Sequence, residues 1–270
     1  MAKTSFAKID WQARSVQIEY HWINAELTSR PLLVFLHEGL GSTAMWRDYP
    51  QQLCNVLEMR GLVYSRPGYG QSTPRGKNEQ WAPNFMHQQA FEVMPALFKA
   101  LGIYEKPWLL GHSDGGSIAL LHASQYSVAG LIVLSPHIMV EDLSILSIEK
   151  AREAYVNTNL RQRLSRYHAD VDSAFGGWSQ IWLNPDFRNW SIEEEIKTID
   201  CPVLAVQGVD DEYGTMAQIR GIAQRLGQTQ LVEINACGHS PHRDQPQKLN
   251  DICLRFFKIH QNSSTDLTHQ

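Results

Sequence analysis

Three short stretches hold residue types that could do nucleophilic chemistry together. GHSDGG (111–116) sets Ser113 between Gly111 and Gly115, straight after the apolar run WLL and straight before SIALLHASQY. QGVDDEYG (207–214) offers Asp210 and Asp211, and ACGHSPHRDQP (236–246) offers His239 and His242. A free serine hydroxyl is a poor nucleophile at neutral pH and needs a positioned base, itself oriented by a third group. G-x-S-x-G has a mechanical reason: on a sharp strand-to-helix turn the flanking glycines remove clashes, and the serine is lifted above the sheet. The five-residue spacing alone is common by chance, so its context matters. Here a strand precedes it, a helix follows it, and an acid and a histidine come later in that order. The competing readings are a Gly-rich phosphate loop, a solvated acidic turn and surface histidines. The phosphate loop lacks the G-x-x-x-x-G-K-[ST] spacing. A metal pair at His239 and His242 lacks a third ligand at sensible spacing.

These residues need a frame. VQIEYHWI (16–23), PLLVFLH (31–37), GLVYS (61–65), WLLGHS (108–113), GLIVLS (130–135), CPVLAVQG (201–208) and TQLVEINA (229–236) read as strands. Runs apolar on both faces are what a covered parallel sheet requires. Between them lie helical stretches. In FMHQQAFEVMPALFKALG, Phe91, Met94, Phe98 and Leu101 share one face, with Pro95 as a kink point. Thr215 and Gln218 form a candidate capping box, Ser191 and Glu194 another, and Asp244 is a candidate N-cap for the last helix. Alternating β and α elements predict a doubly wound, mostly parallel α/β sheet. The acid and the histidine then fall just beyond strand ends, where functional groups collect in such sheets.

One stretch breaks the rhythm. Residues 136–199 contain no convincing strand, and 64 residues are too many for a loop. They read as an inserted helical cap, with 1–135 and 200–270 as the core domain. The cap holds Trp178, Trp182 and Trp190, with Phe175 and Phe187. The tail QNSSTDLTHQ reads as frayed.

Bulk properties exclude some partners. The 270 residues carry a net charge of −4, with 43% hydrophobic and 19% charged residues. Neither this charge nor any basic run makes a case for nucleic acid or an anionic membrane. No run approaches a spanning helix. Cys54, Cys201, Cys237 and Cys253 form no C-x-x-C pair. With no apolar signal core at the start, they are expected to be reduced thiols of a cytoplasmic protein.

Taken together, these motifs resemble the α/β-hydrolase fold superfamily over most of the chain. GHSDGG resembles its nucleophile elbow, HEGLGS (37–42) its oxyanion loop, SRPGYGQS (65–72) the loop after the next strand, GVDD its acid loop and GHSPH its histidine loop. The resemblance picks Asp211 over Asp210 and His239 over His242. It implies a Ser113–His239–Asp211 triad and an acyl-enzyme, with the backbone N–H groups of Gly39 and Asp114 as oxyanion donors. It implies no metal or organic cofactor. Glu38 departs from the pattern, which usually has glycine there; it is either a structural carboxylate or one that faces substrate.

The substrate is read from the cap. Trp178 and Trp182 suit an apolar or aromatic acyl or alcohol group, or else pack the cap onto the core. His137 and Glu141 could reach the pocket or orient the cap. Asp114 resembles the elbow aspartate of some α-amino-acid ester hydrolases, where it binds an amine; otherwise its charge favours the helix N-terminus. The expected reaction is hydrolysis of a small carboxylic ester or related acyl bond. Alternatives are C–C bond hydrolysis of dienoic keto-acids, α-amino-acid ester hydrolysis, or ligand binding without turnover. Dehalogenase chemistry would need an aspartate at position 113.

Overall fold

The computed structural model describes residues 4–76 and 79–261. Its strands are β1 (Ser5–Trp11), β2 (Arg14–Ile23), β3 (Leu32–Leu36), β4 (Arg60–Tyr64), β5 (Trp108–His112), β6 (Gly130–Leu134), β7 (Val203–Gly208) and β8 (Thr229–Ile234). They form one sheet in the order β1-β2-β4-β3-β5-β6-β7-β8. β1, β2 and β4 pair antiparallel, and all pairs from β4 to β8 are parallel. β1 was not expected from the sequence. Its period-two pattern buries Ala7, Ile9 and Trp11, and a tight turn with Gln12 and Ala13 at positive φ returns it onto β2.

The helices are α1 (Tyr49–Leu57), α2 (Phe85–Gln88), α3 (Met94–Leu101), α4 (Asp114–Gln125), α5 (Asp142–Asn157), α6 (Leu160–Leu164), α7 (Val171–Trp182), α8 (Ala217–Arg225), α9 (Pro241–Asp244) and α10 (Pro246–Gln261). Every residue of β3, β5, β6 and β7 is buried. Alternate side chains feed two cores. Leu36, Leu109 and Val133 pack with Leu97 of α3, Ile118 of α4 and Ile222 of α8. Phe35, Leu110 and Ile132 pack with Leu53 of α1 and Phe256 of α10. Full burial of such a side chain contributes about 1.5–3 kcal/mol, so a strand covered on both faces must be apolar throughout.

Several local expectations are corrected. Pro95 is accommodated without a break: residues 85–101 are helical throughout, a π-helical turn, Gln89–Val93, joins α2 to α3 just before it, and the Ala90 carbonyl accepts from His122 Nδ1 at 2.8 Å. On that face Met94 and Phe98 are buried, whereas Phe91 and Leu101 are half-buried. Thr215 and Gln218 make no capping box. The Gln218 side chain instead serves the backbone of Ile138 and Met139. Ser191 Oγ accepts from the Glu193 N–H, not from Glu194. Asp244 ends α9, and its carboxylate accepts the Gly238 N–H at 2.8 Å instead of capping α10.

Residues 136–199 are helical in the main, with α5, α6, α7 and 3₁₀ turns at Pro185–Phe187 and Glu195–Thr198. An isolated bridge joins Met139 to Ser191. Beyond Gln261 the polar tail lies outside the described residues. All four cysteines are buried and unpaired, and burial pushes each thiol up to about 12. Among the described residues no helix is long and apolar enough to cross a membrane.

The glycines of the elbow are fixed by contact. A Cβ on Gly115 would stand 2.1 Å from the Leu36 carbonyl oxygen, and one on Gly111 would stand 2.2 Å from that of Gly115. Both obstacles are backbone, which cannot rotate aside. Gly115→Ala is therefore expected to lose at least ~2 kcal/mol of stability. Gly227→Ala, with nothing within 4 Å of its Cβ, is expected to be neutral or to gain about 0.4–1 kcal/mol. Urea unfolding of both variants checks the pair, and equal midpoints would refute the steric account.

Candidate active site

Ser113 stands between β5 and α4 with φ 52° and ψ −122°. This is a costly conformation for a residue with a side chain, on the order of 1–3 kcal/mol. It is held by the Ser113 N–H donating to Leu134 O at 2.9 Å and by the N–H groups of Gly116 and Ser117 donating to Ser113 O. Ser113 occupies the N-cap position of α4, yet its hydroxyl makes no capping bond. The side chain is thus left free above the carboxyl end of the sheet. The N–H groups of Asp114 and Gly115, which open α4, have no acceptor within the helix.

Asp211 and His239 come together from the ends of β7 and β8. His239 Nδ1 donates to Asp211 Oδ1 at 2.8 Å and lies 3.0 Å from Oδ2. That partner fixes the tautomer and leaves Nε2 as the free nitrogen. The two loops are locked by backbone: Asp210 N–H donates to Cys237 O at 2.9 Å, and a Cβ on Gly208 would stand 2.1 Å from the same oxygen. Burial would raise the Asp211 pKa. The His239 ring and the Tyr213 N–H, which donates at 2.8 Å, outweigh it and hold the carboxyl below its ordinary value. Asp210 is exposed, and its side chain has no partner in the site. His242 is packed against Trp46 and His112, with ring centroids 4.8 Å away in each case.

Gly39 follows β3, the neighbour of β5, where the sheet order reverses. Ligands collect at such switch points. Trp178 crowds it: a Cβ there would stand 2.2 Å from the indole nitrogen. Glu38 curls back within its own loop, lying 3.6 Å from His112 Nδ1 and 3.7 Å from Arg243 Nη2. Burial opposes its charge, but His112 and Arg243 keep the carboxyl ionised, well below the usual carboxylate range. Of the two roles expected for Glu38, the structural one has these partners, although the residue also borders the cavity.

The cavity, of about 440 Å³, is lined by Ser113, Asp114, His239, Gly39, Glu38, His137, Trp178 and Trp182. Ser113 and His239 face it without a hydrogen bond to each other, a contact that often tightens only with substrate in place. His137 is neutral, pushed down to about 3 by burial and by His239, and its ring lies edge-on to Trp182 at 4.9 Å. Trp182 Nε1 donates to Asp114 Oδ1 at 3.2 Å. The other Asp114 oxygen lies 3.7 Å from Arg66, and both side chains are 1% exposed. Both Asp114 oxygens thus have neighbours inside the protein, although the residue also borders the cavity. Glu141 is not on the cavity; it binds the Thr215 N–H at 2.9 Å and Gln218 at 2.7 Å, tying the start of α5 to the loop after β7. Trp190 stacks on Phe187 away from the site.

Sequence reasoning missed Tyr213, Glu212, Arg163 and Arg243, which also line the cavity. Tyr213, two residues after Asp211, was within reach of local spacing; Arg163 is brought in by the packing of α6. His112 was also missed. Its Nε2 donates to His239 O at 2.8 Å and so steadies the histidine loop.

With this geometry in hand, known proteins supply the comparison. The chain matches the alpha/beta hydrolase family over residues 33–252. It is 24% identical over 288 aligned positions to a proline iminopeptidase of Thermoplasma volcanium, covering 91% of this chain and 94% of that one. Its fold is similar to a thermophilic esterase from Thermogutta terrifontis (TM-score 0.72, 18% identity, 96% and 99% of the two chains covered). It is also similar to the enol-lactonase of Burkholderia xenovorans LB400 (TM-score 0.73, 16% identity, 94% and 100% covered). At such identities the structural likeness speaks to fold alone. With a match spanning both the strands that carry the elbow and the loops that carry Asp211 and His239, the chain belongs to the alpha/beta hydrolase family.

Proposed function

We propose that the protein is a serine hydrolase that cleaves a small carboxylic ester or related acyl bond, with 136–199 as a helical cap over the cavity. The observation that carries this reading is the tautomer-fixing His239–Asp211 bond on the cavity that also holds the strained Ser113. His239 Nε2 takes the Ser113 proton as the hydroxyl attacks the carbonyl carbon. Asp211 stabilises the imidazolium without being protonated. The oxygen's developing charge meets the N–H groups of Gly39 and Asp114, each such donor contributing about 3 kcal/mol to the transition state. His239 then protonates the leaving group, and water, activated in the same way, releases the acid. Leu40, Ile148 and the two tryptophans give the acyl or alcohol group an apolar wall.

A second reading, amide hydrolysis next to a free amino terminus, is favoured by two carboxylates, Glu38 and Glu212, on the same cavity. The named activity of the Thermoplasma relative points the same way. Parallel assays with p-nitrophenyl esters, amino-acid anilides and a dienoic keto-acid separate these readings by product.

Two outcomes are expected. A fluorophosphonate probe adds once to wild type and not to Ser113→Ala, which keeps its fold by circular dichroism but loses turnover. A labelled, active Ser113→Ala would rule out this nucleophile. Asp211→Asn lowers kcat by roughly 10³–10⁴-fold, whereas Asp210→Asn changes it by less than about 3-fold, as an exposed substitution outside the hydrogen-bonded site should. Equal losses in steady-state kinetics would move the acid off Asp211.

A further inference from the structure

Arg66 is a fully buried cation, 1% exposed, that the mechanism above does not use. Its Nη2 donates to the Glu38 carbonyl oxygen at 2.8 Å. The same oxygen accepts from His37 Nδ1 at 2.7 Å and from the Gly41 N–H at 3.0 Å. His37 is locked in the matching tautomer, because its Nε2 accepts the Arg66 N–H at 3.0 Å. Burial, with the Arg66 charge beside it, keeps that ring neutral. So many donors on one carbonyl are far beyond what loop closure needs. The nitrogen of that same peptide belongs to Gly39. A trans peptide is planar, with its N–H opposed to its C=O. Fixing the carbonyl inward therefore fixes the Gly39 N–H outward, towards the cavity. Among the described residues no internal acceptor takes that N–H. Donors on the oxygen also polarise the peptide and make its N–H a stronger donor.

The charge of Arg66 is balanced from the other half of the site. Asp114, whose own N–H opens α4, places Oδ2 3.7 Å from Arg66 Nη2, and this oxygen has no hydrogen-bond partner. The guanidinium also lies over the Tyr69 ring, 4.7 Å from its centroid. Arg66 thus spans the two backbone segments that would form an oxyanion hole, touching the carbonyl of one and the carboxylate of the other.

We propose that Arg66 is a positioning residue for the oxyanion hole: by holding the Glu38 carbonyl and pairing with Asp114, it aims the Gly39 N–H at the reacting oxygen. This rests on the serine-hydrolase reading. It explains why an acid directly follows the nucleophile here and turns one oxygen towards Arg66, and why an arginine stands in the SRPGYG loop.

The test separates positioning from mere stability. Trifluoroacetophenone forms a tetrahedral adduct whose oxyanion needs the hole, whereas KM for p-nitrophenyl butyrate reports mainly ground-state binding. Arg66→Met is expected to lower kcat and weaken trifluoroacetophenone inhibition by a similar factor, about 10–100-fold, a fraction of the loss seen when a donor is deleted. KM should stay within about 3-fold, and Arg66→Lys, which restores one donor, should fall between. Should Arg66→Met fail to fold because Asp114 is left unpaired, Arg66→Met with Asp114→Asn removes the charges together, and the same parallel loss is expected. Inhibition as strong as in wild type, in whichever of these variants folds, overturns the inference alone. Wild type that neither hydrolyses the ester nor binds the ketone overturns it together with the hydrolase reading.

Discussion

The approach of the elbow to the end of β3 is the constraint on which the site depends. Gly115 lies so close to the Leu36 carbonyl that no side chain fits between them. Gly111 and Gly115 meet in the same way across the turn. This contact forces Ser113 into positive φ and brings the start of α4 beside the loop that follows β3. The sheet carries the strain: Ser113 N–H is tied to Leu134 of β6, one strand further on. A turn with one more side chain would separate the serine from Gly39 and from the helix start at once.

The same constraint puts buried charges where they must be neutralised. Asp114, directly after Ser113, is driven into the interior by the tight turn, and burial raises its pKa against the pull of Arg66. An unpaired buried carboxylate is expensive, so Arg66 and the Trp182 indole are needed to keep it. Trp182 comes from α7, which links the helical segment to the elbow by a hydrogen bond as well as by apolar packing. Its neighbour on that helix, Trp178, presses on Gly39. These two tryptophans are therefore both wall and brace, and neither expectation drawn from the sequence covered the two roles together.

The acid and histidine loops follow a similar logic at the other end of the sheet. β7 and β8 end side by side, and backbone hydrogen bonds fuse the turns that follow. Asp211 is turned inward by the N–H groups of Tyr213 and Gly214, at 2.8 and 3.3 Å. Asp210, one residue earlier, faces water. The His112 side chain crosses from the elbow to hold the carbonyl of His239, so the Ser113 and His239 segments are joined by a side-chain-to-backbone bond.

The sequence by itself determined the sheet and its punctuation. Strands buried on both faces must be continuously apolar, and a turn that admits no Cβ must be glycine; both are local demands that leave local marks. It also placed Ser113, the acid loop and the histidine loop in workable order. The first strand escaped because it is half polar and lacks the continuous apolar run of the central strands. Caps at Thr215, Ser191 and Asp244 failed because other partners took those side chains: the Glu141 carboxylate, the Glu193 N–H and the Gly238 N–H. The destinations of Arg66, Glu38, Asp114 and Trp182 were settled only by tertiary structure. A buried ion pair joins residues 48 positions apart, and nothing in the local spacing of either says which opposite charge it will meet. Close packing around a shared cavity decides that, because each charge must find its partner in the one volume the sheet leaves free.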